Sequence, residues 1–362
     1  MNAMAAVPIL DLHGTHRELG RQHGRAQRAR IQAFLGDRLA RINAVLPQPT
    51  SLAALAPSLR HWRAAIGDTA PQLLGEIDGL AEGADIARDE ALLLQLRREL
   101  TGYRRIETAG DCSTLVHDSA SGRLLAQNVD LNGAMAPELA LLRIAHCGRR
   151  VLMLSFTGLL GYLGLNDRGL AVGLNLLLAG DWRPGVPGYL AIRHLLDEAD
   201  DVDQALALLR RLPLASSRSF TLCDARRSVA VECLPGGVVH ELPAGERAHT
   251  NHFLLPSLAP QDQINPFART SSLRRLEACR RWLSAHGPEA GAPELFALLG
   301  EAPLFVPDSP DPRRECTVAT VVMNPARVEL QVRAGASPSV VTLALAPSTL
   351  ASNPRRDPCP TS

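Results

Sequence analysis

Lysine is absent from this sequence of 362 residues, so its 38 basic side chains all belong to arginine. The absence excludes a lysine nucleophile and Schiff-base chemistry on a lysine. Acidic and basic residues nearly balance, and a net charge of +1 at pH 7 gives no reason to expect a nucleic acid partner. Apolar runs of membrane-spanning length are also missing. The composition therefore indicates a globular protein with neither a nucleic acid nor a membrane as its partner.

Cysteine is sparse, with seven residues, an odd total, and no Cys-x-x-Cys pair. Such a set is not typical of a disulfide framework, and we expect reduced thiols. Residues 1–8 lack the charged start and the apolar core of a signal peptide. We therefore expect a cytoplasmic protein.

The predicted order of secondary structure is that of an α+β protein. Residues 14–100 have apolar positions at helical spacing, whereas short apolar runs bounded by glycine predict strands from residue 112 onwards. Strands, helices, strands, a helix at 270–286 with a shorter one at 293–299, and strands then follow one another, which indicates two sheets with helices outside and not a βαβ repeat. We predict a helical N-terminal segment at 1–111, a main domain at 112–346 and a disordered tail at 347–362.

Cys112 stands at the head of the first predicted strand. Two apolar runs follow it, 113–116 and 124–129, and a turn with a glycine joins them into a hairpin. If the chain is cut just before Cys112, a new α-amino group lies beside the thiol. Their reference pKa values of about 7.7 to 8.0 and about 8.5 make proton transfer between them nearly balanced. Taken alone, the hairpin is better explained by a cysteine that packs as a small apolar residue.

Further motifs, in a fixed order, change that interpretation. They are Gln-Asn-Val-Asp at 127–130, the glycine-rich stretch 158–169 that leads into Asn-Asp-Arg-Gly-Leu at 166–170, Thr-Asn-His-Phe at 250–253 and the segment 316–325, with 19–24 and 75–83 before the cysteine. Together they resemble the penicillin acyltransferase family of self-processing amidohydrolases. These are N-terminal-nucleophile hydrolases and are similar to choloylglycine hydrolases and acid ceramidases. The resemblance spans most of the chain and implies a four-layer αββα sandwich with a helical N-terminal segment.

The resemblance also implies a reaction. Cys112 would attack the carbonyl of Asp111, rearrange to a thioester and hydrolyse, which leaves residues 1–111 and 112–362 as two associated chains. Its thiolate would then attack the amide of a small-molecule substrate, with its own amino group moving the proton and no cofactor taking part. Hydrolysis and acyl transfer both stay open, because they differ only in the acceptor that is better bound.

The resemblance assigns further residues to the site. The candidate catalytic residues are Cys112, Asp130, Asn175, Asn251 and Arg274, and Asp111 and Cys112 form the cleavage site. Asp130 would orient the α-ammonium group, whereas Asn251 and Asn175 would donate to an oxyanion. Each has a plain alternative: Asp130 as a solvent-facing carboxylate, Asn175 as a structural amide inside an apolar run, and Arg274 as a solvated arginine, with Arg269 as its rival.

Two positions depart from the wider pattern. The family usually has glycine directly before the nucleophile, whereas this chain has Asp111. A side chain there restricts the strained backbone that the N-to-S shift needs, although its carboxylate could also assist the shift. Gln127 stands where choloylglycine hydrolases have an arginine, which disfavours bile-salt substrates and favours the penicillin acyltransferase branch.

Three other interpretations fit parts of the sequence. His13, His16 and His23 have loose metal-ligand spacing, but no cysteine or carboxylate cluster completes a site, and we expect no metal. His249 and His252 suggest a Cys-His protease. Residues three apart in a strand face opposite sides, however, so both histidines cannot join one site, and the free α-amino group already supplies a base. An unprocessed, inactive ligand-binding or scaffold protein of the same fold is the alternative from another functional class. The oligomeric state cannot be read from the sequence.

Overall fold

The computed structural model describes residues 7–104 and 112–346. Asp111 and the tail 347–362 lie outside the described residues, so cleavage before Cys112 and disorder of the tail stay predictions. The N-terminal part contains β1 (Ile9–His13), α1 (His16–Gly36), α2 (Ile42–Val45), α3 (Leu52–Thr69), α4 (Pro71–Ala84) and α5 (Arg88–Thr101). Thr15 begins α1 with a capping box, because its hydroxyl accepts from Glu18 N–H and the Glu18 carboxylate accepts from Thr15 N–H.

Glycines allow α1 and α4 to pack at backbone contact. A Cβ added to Gly20 would lie 2.0 Å from the carbonyl oxygen of Glu76, and one added to Gly79 would lie 2.2 Å from that of Arg17. Gly24 and Gly83 have similarly close contacts across the same pair of helices. The two motifs that resemble the family's N-terminal segment are therefore the two sides of one helix contact.

The N-terminal segment is not wholly helical, which corrects the prediction. Residues Ile9–His13 form a strand that pairs in parallel with Leu141–Ala145 of the main domain. The segment thus supplies one edge strand of a sheet that otherwise belongs to the chain after Cys112.

The main domain alternates strands and helices in the predicted order. Its elements are β2 (Ser113–Ser119), β3 (Gly122–Leu131), β4 (Leu139–His146), β5 (Arg149–Phe156), β6 (Leu163–Asn166), β7 (Ala171–Leu176), α6 (Gly188–Glu198), α7 (Val202–Leu209), β8 (Arg218–Cys223), β9 (Ser228–Leu234), β10 (Val238–Glu241), β11 (Ala248–His249), α8 (Pro266–Ala285), α9 (Ala292–Leu298), β12 (Cys316–Asn324), β13 (Glu329–Ala334) and β14 (Val340–Ala344).

The strands form two sheets that pack face to face. One has eight strands in the order β1-β4-β5-β6-β7-β8-β9-β10, and the other has six in the order β11-β2-β3-β12-β13-β14. β7 lies against β2 and β3, while β13 lies against β5 and β6. Helices α6 and α7 cover the first sheet, and α8 and α9 cover the second. The α+β class and the αββα layers predicted from the sequence are confirmed.

A polar bridge joins the sheets close to Cys112. The Gln127 amide on β3 donates to the carbonyl of Leu174 on β7 at 2.7 Å and accepts from the Leu174 N–H at 2.9 Å. Beside it, a Cβ on Gly173 would lie 2.8 Å from the Gln127 side-chain oxygen. Gln127 is thus a structural link between sheets in this protein.

Two further observations concern expectations from composition. Cys147 is disulfide-bonded, which corrects the expectation of reduced thiols throughout, whereas Cys112, Cys223, Cys233, Cys279 and Cys316 are free. Among the described residues, every helix is too short or too polar to cross a membrane.

Candidate active site

Cys112 directly precedes β2 at the open end of the β2–β3 hairpin, away from its turn. Its side chain is buried, and its Sγ lies 3.5 Å from the backbone nitrogen of Asp130 and 3.6 Å from the Asp130 carbonyl oxygen. The hairpin predicted from the sequence therefore brings Cys112 and Asp130 together, because the two strands pair from Ser113 and Asn128 onwards. The Asp130 side chain is also buried, so it is not the solvent-facing carboxylate of the alternative reading.

Arg275 on α8 anchors the backbone of Cys112. Its Nη1 donates to the Cys112 carbonyl oxygen at 2.7 Å and to the Ser113 hydroxyl at 2.9 Å, and its Nη2 donates to Asn251 Oδ1 at 3.0 Å. The side chain is fully buried. A planar guanidinium with donors in a fixed fork suits this task, because it holds several acceptors in one geometry.

The structure places Arg275, and not Arg274, beside Cys112, which corrects the sequence prediction. Arg274 is exposed, and its rival Arg269 donates to the Asp262 carboxylate at 3.1 Å. The phase of α8 explains the difference: its buried positions include Ser272, Arg275, Leu276, Cys279 and Leu283. That helical spacing was the signal in the sequence from which Arg275 could have been identified.

Asn251 lies in the turn after β11 and is buried. Its Oδ1 accepts from Arg275, and its Nδ2 donates to the carbonyl of Leu176 at 3.1 Å, which fixes the orientation of the amide. Its backbone N–H donates to the Ser272 hydroxyl at 2.8 Å. Since an amide NH₂ carries two hydrogens, Asn251 has a second N–H for another acceptor.

Asn175 on β7 belongs to the same region. Gly173, two residues earlier, presents its Cβ position to Gln127 and Thr114 of the opposite sheet, and alternate residues of a strand share a face. Asn175 therefore faces the sheet that carries Cys112. It is fully buried, and within the described part of the chain neither its Oδ1 nor its Nδ2 has a hydrogen-bond partner. A buried amide without partners is costly in a purely structural role.

Two tyrosines that the sequence analysis missed lie near the thiol. Burial, followed by the neighbouring Tyr189 and the Cys112 thiol, raises the pKa of Tyr162 well above its usual value. The two tyrosine rings lie 4.6 Å apart between centroids. Both line a cavity of about 60 Å³. Its walls are mainly apolar and are formed by residues that precede and follow Cys112 in the sequence. They are Phe34, Val45, Leu94, Arg97, Arg98, Thr101, Leu131, Asn132, Met135, Phe156, Thr157, Leu159, Tyr162 and Tyr189.

The two histidines around Asn251 have separate partners. His249 contacts Glu232 through Nε2 at 3.0 Å and the Thr250 carbonyl through Nδ1 at 2.8 Å. His252 contacts the Ser272 hydroxyl through Nδ1 at 2.7 Å. Burial, with the neighbouring His249 as a smaller cause, lowers the pKa of His252 to about 4. At neutral pH its imidazole is uncharged and helps to hold the turn that carries Asn251 against α8.

One histidine cluster has the composition of a metal site. In the described part of the chain, ligand atoms of His16, His146 and Asp197 lie within 4.8 Å of one another. However, Arg193 Nε donates to both Asp197 oxygens, at 3.0 and 2.9 Å, and both Arg193 Nη atoms donate to Glu76. A guanidinium is thus already bonded to both carboxylates, and the donor set fits an ion-pair network better than a cation site.

Comparison with known proteins gives this geometry a context. The sequence profile of the acyl-coenzyme A:6-aminopenicillanic acid acyl-transferase family matches residues 118–338, more than half of the chain. The 40 kDa form of the acyl-coenzyme A:6-aminopenicillanic-acid-acyltransferase of Emericella nidulans is 27% identical over 257 residues, which cover 70% of this chain and 71% of that protein.

Two further proteins are similar. The beta-alanyl-dopamine/carcinine hydrolase of Drosophila melanogaster is 27% identical over 338 residues, covering 82% of this chain and 83% of that protein. The solved structure of penicillin V acylase from Agrobacterium tumefaciens aligns with a TM-score of 0.46 and 16% identity, over 65% of this chain and 86% of that chain. The resemblance inferred from the sequence motifs is confirmed: this chain belongs to the acyl-coenzyme A:6-aminopenicillanic acid acyl-transferase family of enzymes.

Proposed function

We propose that this protein is a self-processing amidohydrolase or acyltransferase with Cys112 as its N-terminal nucleophile. The observation that carries the proposal is the Arg275 guanidinium, which bonds the Cys112 carbonyl at 2.7 Å and Asn251 Oδ1 at 3.0 Å. One buried side chain thereby fixes the nucleophile and a candidate oxyanion donor relative to each other. Such preorganisation is the main requirement for acyl transfer through a covalent intermediate.

The first reaction is cleavage of the chain itself. The Cys112 thiol attacks the carbonyl carbon of Asp111, and the C–N bond breaks as the acyl group moves from nitrogen to sulfur. Water hydrolyses this thioester, which releases the Asp111 carboxylate and leaves Cys112 with a free thiol and a free α-amino group. The contacts of the Cys112 carbonyl and Sγ with Arg275 and Asp130 support this step, because they restrain the attacking residue.

The second reaction uses the new amino group. It accepts the thiol proton, the thiolate attacks the amide carbon of the substrate, and the ammonium returns the proton to the departing amine. The resulting thioester passes its acyl group to water or to another amine. The buried Asp130 would orient the ammonium, and the distances of 3.5 and 3.6 Å from its backbone atoms to Cys112 Sγ support this role.

The oxyanion of each tetrahedral intermediate needs fixed donors. One side-chain N–H of Asn251 donates to the Leu176 carbonyl, and its second N–H is available for the oxyanion. The Asn175 amide faces the sheet that carries Cys112 and has no hydrogen-bond partner among the described residues. We assign the oxyanion hole to these two amides. Arg275 is a positioning residue, since its contacts are with the Cys112 backbone and with Asn251.

The N-terminal chain is expected to stay bound after cleavage. β1 pairs with β4, and the Gln95 amide donates to the Gly158 carbonyl at 2.8 Å and accepts from the Leu160 N–H at 3.0 Å. Glu99 accepts from Arg218 at 2.9 Å, and Glu76 accepts from Arg193. Each of these contacts joins a residue before the Asp111–Cys112 bond to a residue after it. They can therefore persist when that bond is cleaved.

The substrate class follows the family. The two relatives are named as an acyltransferase and as a hydrolase of beta-alanyl-dopamine and carcinine, so small-molecule amides are the expected substrates. A cytoplasmic location stays a prediction.

Intact mass under denaturing conditions tests self-processing. The purified protein should give two species, residues 1–111 and residues 112–362, and Cys112→Ala should give one full-length species. Cys279→Ala removes another buried free cysteine, on α8, and should be cut like the parent. A single full-length species from the parent would contradict the proposal and favour the unprocessed ligand-binding or scaffold protein. Amine release from a panel of N-acyl amines then measures turnover.

A further inference from the structure

Arg98 lines the cavity as a half-buried cation, and two of its guanidinium nitrogens have no hydrogen-bond partner among the described residues. It lies on α5, and its Nε and Nη2 atoms are shielded from solvent with no hydrogen bond to any described residue. Its neighbour Arg97, by contrast, donates from Nε to the Ala40 carbonyl at 2.7 Å. Shielded guanidinium nitrogens without acceptors are costly, so an acceptor from a ligand would be stabilising there.

A second arginine, Arg218, lies close to Arg98. Its Nη2 donates to Glu99 Oε1 at 2.9 Å, so this carboxylate is bonded to Arg218. Burial, followed by the repulsion of Arg218, lowers the pKa of Arg98, while Tyr189, Glu315 and Glu99 act in the opposite direction. Both arginines also approach the Trp182 ring, at 5.7 Å and 4.8 Å from its centroid. Arg98 therefore lies beside a second arginine, and its shielded Nε and Nη2 atoms have no hydrogen-bond acceptor among the described residues.

Arg98 and Cys112 belong to one region. Tyr189 interacts electrostatically with both of them, and Tyr162 interacts with the Cys112 thiol. Arg98, Tyr189 and Tyr162 all line the cavity of about 60 Å³. A water molecule takes about 30 Å³ in the liquid, so the cavity has room for a group the size of a carboxylate.

We infer that Arg98 is the specificity residue of this site and binds an anionic group of the amide substrate, a carboxylate by its size. This inference rests on the proposed function and adds the substrate class to it: amides that carry an acid group close to the scissile bond and apolar groups beside it. Two parallel N–H···O bonds from a guanidinium suit a carboxylate, and the phenyl and aliphatic walls formed by Phe156, Leu159 and Leu131 suit an apolar neighbour.

Three probes that contain no carboxamide test the inference on the purified protein. They are pentanoate, butane-1-sulfonate and butane-1-sulfonamide, of which the first two are anions at neutral pH and the third is a neutral match to the second. Ligand-observed NMR titrations should show both anions binding at least about tenfold more tightly than the sulfonamide, because only they form charge-assisted bonds to the guanidinium. Arg98→Gln should remove this preference, whereas Arg60→Gln, an exposed arginine on α3, should retain it.

Equal affinity for the three probes, no binding of any of them, or a preference that persists in Arg98→Gln would each overturn the inference. If Arg98→Gln does not fold, Arg98→Lys replaces it, since a lysine keeps the charge without the fork and should reduce the preference for pentanoate. The readout needs no turnover. Failure of the proposed function appears separately, as an uncut chain in the mass spectrum.

Discussion

The guanidinium of Arg275 joins three segments that are distant in sequence. It contacts the start of β2 through Cys112 and Ser113, the turn after β11 through Asn251, and it extends from α8. Removing it would leave the Cys112 carbonyl and Asn251 Oδ1 without a buried donor. The effect should therefore appear in chain cleavage and turnover as well as in stability.

We predict that Arg275→Met prevents cleavage or slows it at least about 100-fold, as expected when catalytic groups lose their alignment. Arg275→Lys should be intermediate, because lysine keeps the charge but not the fork. Arg274→Met is the matched control on the next residue, and its exposed side chain should change neither cleavage nor stability. The fraction cleaved over time, followed by intact mass, measures this. Cleavage of Arg275→Met at the parent rate would refute the role given to Arg275.

Asn251 provides a second test at this scale. Asn251→Ala should lower kcat by about 10² to 10³, equivalent to about 2.7 to 4 kcal/mol, because one oxyanion donor is lost. KM should change little, whereas the melting temperature should fall, because Arg275 Nη2 and the Leu176 carbonyl lose a buried partner. Asn324→Ala is a control amide at the end of β12, where it donates to Ser121. Near-normal kcat in Asn251→Ala would remove this residue from the site.

The sequence led to most of these side chains but not to all. Cys112, Asp130, Asn175 and Asn251 were predicted from motifs, and the fold brings them to one region. Arg275 was missed by one position because the serine-arginine motif has two adjacent arginines, and only the helical phase set by Leu276, Cys279 and Leu283 distinguishes them. Tyr162 and Arg98 have no local signal. Their proximity to Cys112 depends on packing between distant segments.

At the scale of elements, the contact between α1 and α4 makes a specific prediction. A methyl group on Gly79 would clash with the backbone of Arg17, whereas a methyl group on Gly75 of the same helix meets nothing within 4 Å. Gly79→Ala should lower the free energy of unfolding by about 1 to 3 kcal/mol. Gly75→Ala should raise it by about 0.5 to 1 kcal/mol, because alanine is the better helix former.

Urea unfolding of the two alanine variants measures both effects. The comparison is internal to α4, so differences in helix propensity cancel. Equal effects of the two substitutions would show that the close approach of α1 and α4 does not limit the packing.

The ion-pair network around Arg193 gives another prediction. Arg193 joins Glu76 of the N-terminal segment to Asp197 of α6, and all three side chains are almost completely buried. Arg193→Met should destabilise the protein by about 3 to 5 kcal/mol, because it leaves two buried carboxylates without their cation.

The exposed ion pair between Arg21 on α1 and Glu82 on α4 serves as the control for Arg193. Arg21→Met should cost about 0 to 1 kcal/mol, as is usual for a solvated ion pair. Thermal unfolding at neutral pH measures both variants. A small effect of Arg193→Met would show that the network is not a structural anchor.

Element prediction succeeded where the pattern was local. The helical character of residues 14–100 and the strands after residue 112 were predicted from periodicity and from short apolar runs. β1 was missed because its five residues are mostly exposed or half-buried and its partner strand begins at Leu139, far along the chain. A short edge strand that pairs with a distant segment carries little signal of its own.

For the whole molecule, buried histidine predicts sensitivity to acid. Burial lowers the pKa of His23 on α1 from 6.5 to about 4, and its Nε2 contacts Gln27 at 3.2 Å. Below pH 6.5 the unfolded chain binds a proton that the folded chain excludes. Stability is thus complete above pH 6.5 and is lost progressively as the pH falls towards 4, by about 3 kcal/mol for this one group.

Urea unfolding at several pH values between about 7.5 and 4.5 measures this slope. His23→Gln should make the unfolding free energy depend less steeply on pH, because a neutral amide replaces the imidazole. The decrease in slope corresponds to at most one proton taken up on unfolding. His61→Gln changes an exposed histidine on α3 and should leave the slope unchanged. An unchanged slope in His23→Gln would contradict the assignment.

The cavity lined by Arg98 and Tyr189 affects how the mature enzyme would behave on dilution. Phe34, Leu94 and Arg98 come from the N-terminal side of the scissile bond, whereas Leu131, Phe156 and Tyr189 come from the other side. After cleavage no covalent bond between residues 111 and 112 would hold these walls together. The pocket would then persist only while the two fragments remain associated, so a protein made as one polypeptide would acquire the concentration dependence of a heterodimer.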